Sequence, residues 1–385
     1  MTVFLYTGGP GADAFEAFGH VALCVGTTDQ PGAGTCFDYG TAYFEDFYGM
    51  MWGFLRGEAE FQVIATPEWG VLERFRSGDR TIRRLELPLT PPQQAAVIEQ
   101  LWGDTSDPAW RYRYDHFSDN CATRVRDVLD RAVGGAWREA TEGRPGPGES
   151  FRNLGRRLFG AHPALLLPTD LLVGRAADVV PDRWASMFLP DLLRSEAERF
   201  FGVASTVVYL RRGPDLTPDP GWGGRQWFVV LGLLLGAPLA CARRAGRFPR
   251  LALAGAIVPL ALLGLVVWGM SFVSTLAAVR WNEVLLVLVP FDFALLFLSE
   301  RIRSIFARVR LGMLAAAALL LAVGVLRQPL WATFFLPLPT MLAIAFVRPR
   351  ERSAAPPPAA SPSAGREPEL PPPSGMAAAR ETDPT

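Results

Sequence analysis

Long apolar runs crowd the second half of this 385-residue chain, and they constrain its fold more than any other feature. A helix that crosses a bilayer needs roughly 20 apolar residues, because a rise of about 1.5 Å per residue must cover about 30 Å of hydrocarbon. From Gln226 onward the sequence offers five runs near that length, which predict an all-α bundle of about five transmembrane helices. The five runs are Trp227–Ala242, Leu251–Met270, Val284–Ser299, Leu311–Leu326 and Leu330–Val347.

The placement of arginine predicts how this bundle is oriented. Every basic side chain is Arg, and the Arg residues gather at alternate ends of the apolar runs, within residues 243–250, 301–310 and 348–352. The opposite connections hold only Arg280 and Arg327. Since cytoplasmic loops carry the excess of Arg, the rich ends lie in the cytoplasm and residues 1–225 lie outside. A strand-like run, Val3–Tyr6, follows Met1 directly, so we expect an export signal upstream of this numbering.

Composition divides the chain into four parts. Residues 1–150 form the predicted catalytic domain, and residues 151–225 form a helical and looped extension that packs as ordinary core or lies against the bilayer. Residues 226–347 hold the bundle, and residues 348–385 form a Pro/Ala-rich tail that we expect to be disordered and cytoplasmic. The 38 basic and 38 acidic residues balance, so nucleic acid is not an expected partner. Neither CxxC nor HExxH occurs, so we expect no metal and no other cofactor.

The first part of the chain has an α+β pattern in which strands precede helices. Period-two or continuous apolar patterns predict strands at residues 3–6, 20–26, 35–39, 61–65 and 80–87. Thr90 followed by two prolines predicts the start of a helix that runs to about Gly103. A second helix is predicted over residues 121–132, with apolar residues spaced to pack one face on a sheet.

Cys121 is the strongest candidate for a nucleophile. It begins the second predicted helix, where the helix dipole and a nearby imidazole both favour a thiolate. Of three histidines, His20 opens an apolar strand and is the first candidate base, while His116 competes because it lies five residues before Cys121. The alternative is that Cys121 is a small buried hydrophobe, which is common for free cysteines.

Three other polar or sulfur-bearing positions have two interpretations each. Cys24 and Cys36 lie on strands that could pair, so they form either a disulfide or two buried thiols. Asp292 lies inside the predicted third span, where a carboxylate is costly and therefore a candidate for substrate binding. The alternative is a polar contact between helices.

Several motifs in one order resemble the periplasmic domain of the Lnb-type bacterial lipoprotein N-acyltransferases. The resemblance covers roughly residues 3–210. The bundle resembles that family only in that several spans follow the domain. The motifs are Leu5-Tyr6-Thr7 with Gly11, Phe18-Gly19-His20, Phe37-Asp38-Tyr39-Gly40-Thr41, Phe54-Leu55-Arg56-Gly57, Leu87-Pro88-Leu89-Thr90, Tyr112-Arg113-Tyr114-Asp115 and Asp119-Asn120-Cys121 with the six residues after it.

The resemblance implies a circularly permuted papain-like fold, in which the histidine strand precedes the cysteine helix. It implies a multi-pass protein of the bacterial inner membrane with a periplasmic catalytic domain. Its cysteine would take an acyl chain from a membrane phospholipid and pass it to the α-amine of a lipoprotein's lipid-modified N-terminal cysteine. The implied partners are the phospholipid donor, the lipoprotein acceptor and the bilayer, with no metal.

Roles for individual residues follow from the pattern and the resemblance together. Cys121 is the nucleophile, His20 the general base and then the acid, and Asp38 the group that orients the imidazole. The alternative for Asp38 is an ordinary strand-end aspartate. The backbone N–H of Cys121, with Asn120, is the candidate oxyanion site.

The candidate substrate-binding residues each carry a plainer alternative. Tyr39 and Tyr114 line the site or are aromatic core residues. Arg124 contacts a phosphate or forms an ion pair on the helix surface. Asp292 completes this group.

Two other functions remain open from the residues alone. The first is a permuted papain-like hydrolase that cleaves peptidoglycan peptides or lipids with the same Cys121 and His20. The second is a membrane-anchored binding domain without catalysis. The predicted spans favour a lipid substrate, because a cell-wall hydrolase needs only one anchor.

Overall fold

The N-terminal half of the protein is built on one seven-stranded antiparallel sheet. The computed structural model describes residues 1–28, 32–43, 47–107, 109–216 and 222–348. The strand order across the sheet is β6-β4-β3-β2-β1-β5-β7. The strands are β1 (Thr2–Gly8), β2 (His20–Gly26), β3 (Thr35–Tyr43), β4 (Glu60–Pro67), β5 (Ile82–Glu86), β6 (Tyr112–Arg113) and β7 (Thr206–Tyr209).

Helices cover both faces of this sheet. Alternate apolar residues of β1 to β5 pack against α3, α4 and α9 on one face, and the other face packs against α2. This division follows from the period of two in the strands, which sends neighbouring side chains to opposite faces. The helices of this half are α1 (Phe47–Arg56), α2 (Glu68–Ser77), α3 (Pro91–Ser106), α4 (Cys121–Ala132), α5 (Ala136–Thr141), α6 (Phe151–Leu158), α7 (Pro163–Leu172), α8 (Arg183–Ser186) and α9 (Pro190–Phe201).

The two candidate disulfide cysteines are bonded to each other. Cys24 on β2 and Cys36 on β3 are register partners, and a disulfide joins them inside the core. Of the two interpretations that the sequence left open, the disulfide is the one found.

The extension over residues 151–225 belongs to the sheet domain more closely than its sequence pattern indicates. Its strand β7 pairs with β5 at the edge of the sheet, and α9 packs on β1. The sequence analysis missed β7 because its four residues are mostly exposed and too few to show a period.

Within the described part of the second half, three helices are long and apolar enough to cross a membrane. They are α10 (Gln226–Ala245), α11 (Pro249–Val273) and α13 (Glu300–Ala322). The short α12 (Ala277–Arg280) follows α11, and α14 (Leu338–Phe346) packs between α10 and α13. Glycines on α10 permit this close packing, since a Cβ at Gly232 or Gly236 would strike the backbone of residues 335–340.

The prediction of five spans is therefore not confirmed. The run Val284–Ser299 forms two short 3₁₀ segments, because Pro290 cannot continue a helix and forces Val289 into an extended conformation. The run Leu330–Val347 contains a three-residue 3₁₀ helix, Thr333–Phe335, and the nine-residue α14, which starts after Pro337. The arginines at 301–310 lie on the first turns of α13 and not in a loop.

The arginine-rich helix ends lie together. Arg243 at the end of α10 is buried, donates to the Val347 carbonyl and pairs at 3.0 Å with Glu300, which begins α13. This contact places the end of α10, the start of α13 and the end of α14 on one side of the bundle.

The sheet domain docks on the other side of the bundle. The amide of Thr275, just after α11, donates to the Arg56 carbonyl at 2.8 Å. The Asn282 side chain donates to the Leu171 carbonyl at 2.6 Å. The domain and the arginine-rich ends are thus at opposite ends of the spanning helices. The predicted tail beyond residue 348 lies outside the described residues.

Candidate functional site

The centre of the candidate site is a line of three polar side chains on β2, β3 and α2. His20 is the first residue of β2, and its Nε2 lies 2.7 Å from an oxygen of Asp38 on β3. The other carboxylate oxygen of Asp38 accepts a hydrogen bond from Arg74 of α2 at 2.7 Å. Because Asp38 is almost wholly buried, water screens its charge little, and the charge interacts strongly with these two partners.

Cys121 completes the line on the opposite side of the imidazole. It is the first residue of α4, a helix that packs on β2 and β3, and it lies close enough to His20 to raise the pKa of that imidazole. Since Nε2 of His20 faces Asp38, the remaining ring nitrogen, Nδ1, is the one available to the thiol. The structure thus brings together Cys121, His20 and Asp38.

Electrostatics keep the imidazole protonated. Burial opposes the charge on His20, but the charges of Asp38 and Cys121 outweigh burial and raise the pKa of His20 to about 10. Burial also opposes the charge on Asp38, yet His20 and Arg74 hold the pKa of that carboxyl well below its usual range. At neutral pH the site therefore holds an imidazolium at His20 beside the carboxylate of Asp38.

A β-bulge in β3 sets the position of the imidazole. The register of β3 against β4 shifts between Asp38 and Thr41, and Gly40 lies in this irregular stretch. Its amide donates to Asp38 at 2.8 Å, and a Cβ added to Gly40 would stand only 2.2 Å from Cε1 of His20. Only glycine leaves room for the ring at this point, which is a known use of bulges beside active sites.

Asn120 fixes the start of the cysteine helix. Its side-chain oxygen accepts from the amides of Ala122 and Thr123, and its amide nitrogen donates to the carbonyls of His116 and Phe188. These four bonds occupy the side-chain oxygen and both N–H groups of the amide. Asn120 therefore has no free N–H to donate to an oxyanion. The N–H of Cys121 is the first amide of α4, a position that lacks a partner within its own helix.

The other residues predicted to bind substrate divide between the site and the core. Tyr114 stacks on Phe54 and Phe61, and burial followed by the nearby charge of Cys121 raises its pKa. Tyr39 lies in the core on the face of the sheet that packs against α3, α4 and α9. Its hydroxyl donates to Asp104 at 2.6 Å. The structure brings Tyr114 to the sulfur and does not bring Tyr39 there.

Arg124 and Asp292 are both held by internal partners. Arg124 forms two hydrogen bonds of 2.5 Å to the Asp119 carboxylate and lies over the ring of Tyr112. Asp292 accepts from Arg310 at 2.8 Å, and both side chains are buried within the helical half. For Arg124 this contact is the surface ion pair given above as the plainer alternative. For Asp292 it corresponds to the plainer alternative of a polar contact between helices.

An apolar cavity of about 240 Å³ lies between the sheet domain and the helical half. His116 lines it, and burial lowers the pKa of this histidine, which also packs edge-on against Phe54 and Tyr114. Phe18, two residues before His20, lines it as well. The walls otherwise come largely from α1, α6, α7, α12 and the end of α11, so the cavity extends from Phe18 and His116, which are near His20 and Cys121 in the chain, to the long apolar helices.

Phe18 also borders a second cavity, of about 350 Å³, on its other side. The loop after β1, the residue Gly19 and the start of α9 form its walls, and Arg83 and Arg157 are its cationic residues. The neighbourhood of His20 is thus flanked by two cavities, one continuous with the helical half and one bordered by cationic side chains.

Two positioning residues were not found by sequence reasoning. Arg74 lies on a helix that the sequence analysis did not predict, and no local motif marks it. Gly40 was visible within a motif, but its role depends on the bulge. Among the described residues, no group of three or more His, Cys, Asp or Glu side chains is arranged to hold a metal ion.

Comparisons with known proteins agree with this picture for the first part of the chain. A family model described as the Lnb N-terminal periplasmic domain matches residues 1–156, which hold β1 to β6 and every member of the polar line. A search of curated proteins finds no match, and neither does a search of solved structures. The resemblance stated from the motifs is thereby confirmed for residues 1–156, whose match to the Lnb N-terminal periplasmic domain is consistent with an Lnb-type family.

Proposed function

We propose that this protein is a membrane-bound cysteine acyltransferase that moves an acyl chain from a phospholipid to the N-terminal amine of a lipoprotein. The observation that carries the proposal is the line Cys121–His20–Asp38 beside an apolar cavity that reaches the spanning helices. We further propose that the sheet domain is a circularly permuted papain-like fold, because its histidine strand precedes its cysteine helix.

The first half of the reaction uses the protonated imidazole as an acid. The thiolate of Cys121 attacks the ester carbonyl, and the N–H of Cys121 donates to the developing oxyanion. The carbon–oxygen ester bond breaks, and His20 gives its proton to the departing lysophospholipid oxygen. The product is an acyl thioester on Cys121 and a neutral His20.

The second half returns the site to its starting state. The lipoprotein amine attacks the thioester carbonyl while His20 takes a proton from the nitrogen, and the carbon–sulfur bond breaks to release the thiolate. Asp38 keeps its charge throughout and stabilises the imidazolium whenever that forms. The two cavities beside Phe18 give separate room for a donor chain and an acceptor.

The orientation of the helices supports a periplasmic site. The sheet domain and the arginine-rich ends lie on opposite sides of the spanning helices, so the positive-inside rule places the domain outside the cytoplasm and the arginine-rich ends within it. In this orientation the apolar cavity faces the outer leaflet of the inner membrane.

Mass spectrometry of lipoprotein N-termini tests the proposal directly. A deletion strain complemented with the wild-type gene should carry N-acylated lipoproteins, and Cys121→Ala should leave the amine free. Cys241→Ala is the matched control, because Cys241 is the other free cysteine and lies on α10, away from the site. Full acylation in the Cys121→Ala strain would overturn the proposal.

The same experiment distinguishes transfer from hydrolysis. Both reactions use the thioester, and they differ only in whether an amine or water attacks it. Unchanged lipoprotein N-termini together with altered cell-wall peptides, or with released fatty acid, would identify a hydrolase instead.

A further inference from the structure

Helix α1 is apolar around almost its whole circumference. Its ten residues, Phe47–Arg56, include one charge, Arg56, and that residue is the last of the helix. Trp52 is 51% exposed on its outer side. A helix that is apolar on all sides belongs in a protein interior or in lipid, because water does not stabilise such a surface.

The position of α1 places it at the level of the bilayer surface. Its last carbonyl, of Arg56, accepts from both the amide and the hydroxyl of Thr275, two residues after the 25-residue span α11 ends. A Cβ at Gly57 would collide with Leu276, so the two chains meet in close contact. The end of α1 is therefore fixed at the outer end of a spanning helix.

Other exposed aromatic side chains lie at the same end. Phe272 near the end of α11 is 75% exposed, and Trp281 just after α12 is 64% exposed. Aromatic residues of this kind concentrate where a membrane protein passes from hydrocarbon to headgroups. Trp52 of α1 is a further exposed aromatic side chain on the part of the domain that is joined to this end of α11.

The inner side of α1 faces the apolar cavity. Phe54 and Leu55 line that cavity, and Met270, Leu276 and Val279 line it from the helical half. Helix α1 therefore forms one part of the cavity wall, and the end of α11 forms another part. The ends of α1 and α11 meet at Gly57 and Leu276, so a lipid that reached the cavity from the membrane would pass along α1 beyond that contact.

We propose that α1 lies within the headgroup layer of the outer leaflet and forms the wall through which a phospholipid acyl chain enters the cavity. The membrane contact stands on the exposure and position of α1, whereas the access route rests on the proposed function. The occupant is a bilayer phospholipid, because α1 is joined to the end of a spanning helix and carries no charge before Arg56.

Site-specific photocrosslinking in full-length protein tests both parts. The photoreactive residue p-benzoylphenylalanine replaces Trp52, Leu55 or Trp69 in turn, and the protein is reconstituted in vesicles of phosphatidylethanolamine and phosphatidylglycerol. Trp69 on α2 is the matched control, because it is 66% exposed in the same domain. Each variant also carries Cys121→Ala, so that labelling does not depend on turnover.

Light should add the mass of one phospholipid at position 52 and at position 55, and none at position 69. Labelling at 52 without labelling at 55 would overturn the access route and leave the membrane contact. Absence of lipid at 52, or equal labelling at 69, would overturn both parts. Failure of the lipoprotein assay with normal crosslinking would instead overturn only the acyltransfer reaction.

Discussion

Replacing Gly40 with alanine should disable the site while leaving the domain folded. The added Cβ would stand 2.2 Å from Cε1 of His20, whereas carbon atoms in contact prefer about 3.5–4.0 Å. The ring must therefore move by more than about 1 Å, and a displacement of that size at a catalytic centre costs on the order of 10²-fold in rate. The packing cost is about 1–3 kcal/mol, typical of an extra carbon in a packed region.

The reactivity of the sulfur measures this effect without any assumption about the substrate. In a Cys241→Ala background, Cys121 is the free thiol left among the described residues, since Cys24 and Cys36 are joined. The rate of alkylation by iodoacetamide then reports the reactivity of the Cys121 sulfur beside His20, and it should fall in parallel with acyl transfer.

A second glycine provides the control for this substitution. A Cβ at Gly103, on α3, meets nothing within 4 Å, so Gly103→Ala should keep full reactivity and gain about 0.5–1 kcal/mol of stability. Denaturant unfolding separates lost activity from lost folding. Wild-type alkylation and transfer rates in folded Gly40→Ala would refute the packed arrangement of His20 against β3.

Three other perturbations test the electrostatics, the disulfide and the buried ion pair. Because Asp38 helps to hold the pKa of His20 at about 10, Asp38→Asn should shift the alkaline loss of activity to lower pH, and an unshifted pH–rate profile would exclude this coupling. The raised pKa of His20 also stabilises the fold below about pH 6.5 and ceases to do so above about pH 10, so Asp38→Asn should lower stability mainly at neutral and acid pH. Reducing the disulfide between β2 and β3, which joins residues 12 apart, should cost about 3 kcal/mol in denaturant unfolding, and equal stability with and without reductant would contradict this. Asp292→Ala should lower the stability measured by thermal unfolding in detergent by about 3–5 kcal/mol, because it leaves the charge of Arg310 buried without a partner. The double variant Asp292→Leu with Arg310→Met removes both charges and should recover most of the loss.

The strands and the cysteine helix could be predicted because their local patterns agree with their tertiary environment. The strands β1 and β2 carry the apolar runs that a sheet buried on both faces requires, and the structure finds them at Thr2–Gly8 and His20–Gly26. Helix α4 shows both an apolar face and an asparagine cap, and its bounds are those predicted. Helix α1 was missed because its glycines and aromatic residues do not favour a helix in isolation.

The span count could not be obtained from hydropathy alone. An apolar run has the same mean hydropathy whether it crosses a bilayer or folds as short segments between helices that do cross it. The run Val284–Ser299 is of the second kind: Pro290 breaks it, and Asp292 is held by Arg310 from α13. That partner lies outside the run, so a window along the sequence does not reveal it.

The candidate site was predictable where chemistry marked single residues and not where geometry joined distant ones. Cys121 and His20 stood out because a cysteine at a helix start and a scarce histidine are each informative. Arg74 acts only through Asp38, 36 positions earlier, and is brought there by the packing of α2 on the sheet. Strand pairing and helix packing create such contacts, and neither is visible as spacing in the chain.

A polar network holds the sheet domain against the helical half of the protein. The Glu283 carboxylate accepts from the amides of Arg327 and Gln328, and the Gln328 side chain donates to the carbonyls of Asp170 and Val173. Two of these contacts are buried and two are half-buried, and the Gln328 bonds join the helical half to the domain, where an unpartnered polar group would be costly. The domain therefore cannot lift from the bundle without leaving several buried groups unsatisfied. The docking fixes the position of the sheet domain and the cavity relative to the long apolar helices. Under the proposed function this fixed position is required, because the phospholipid donor cannot leave the lipid phase and the lipoprotein acceptor is anchored in the same phase.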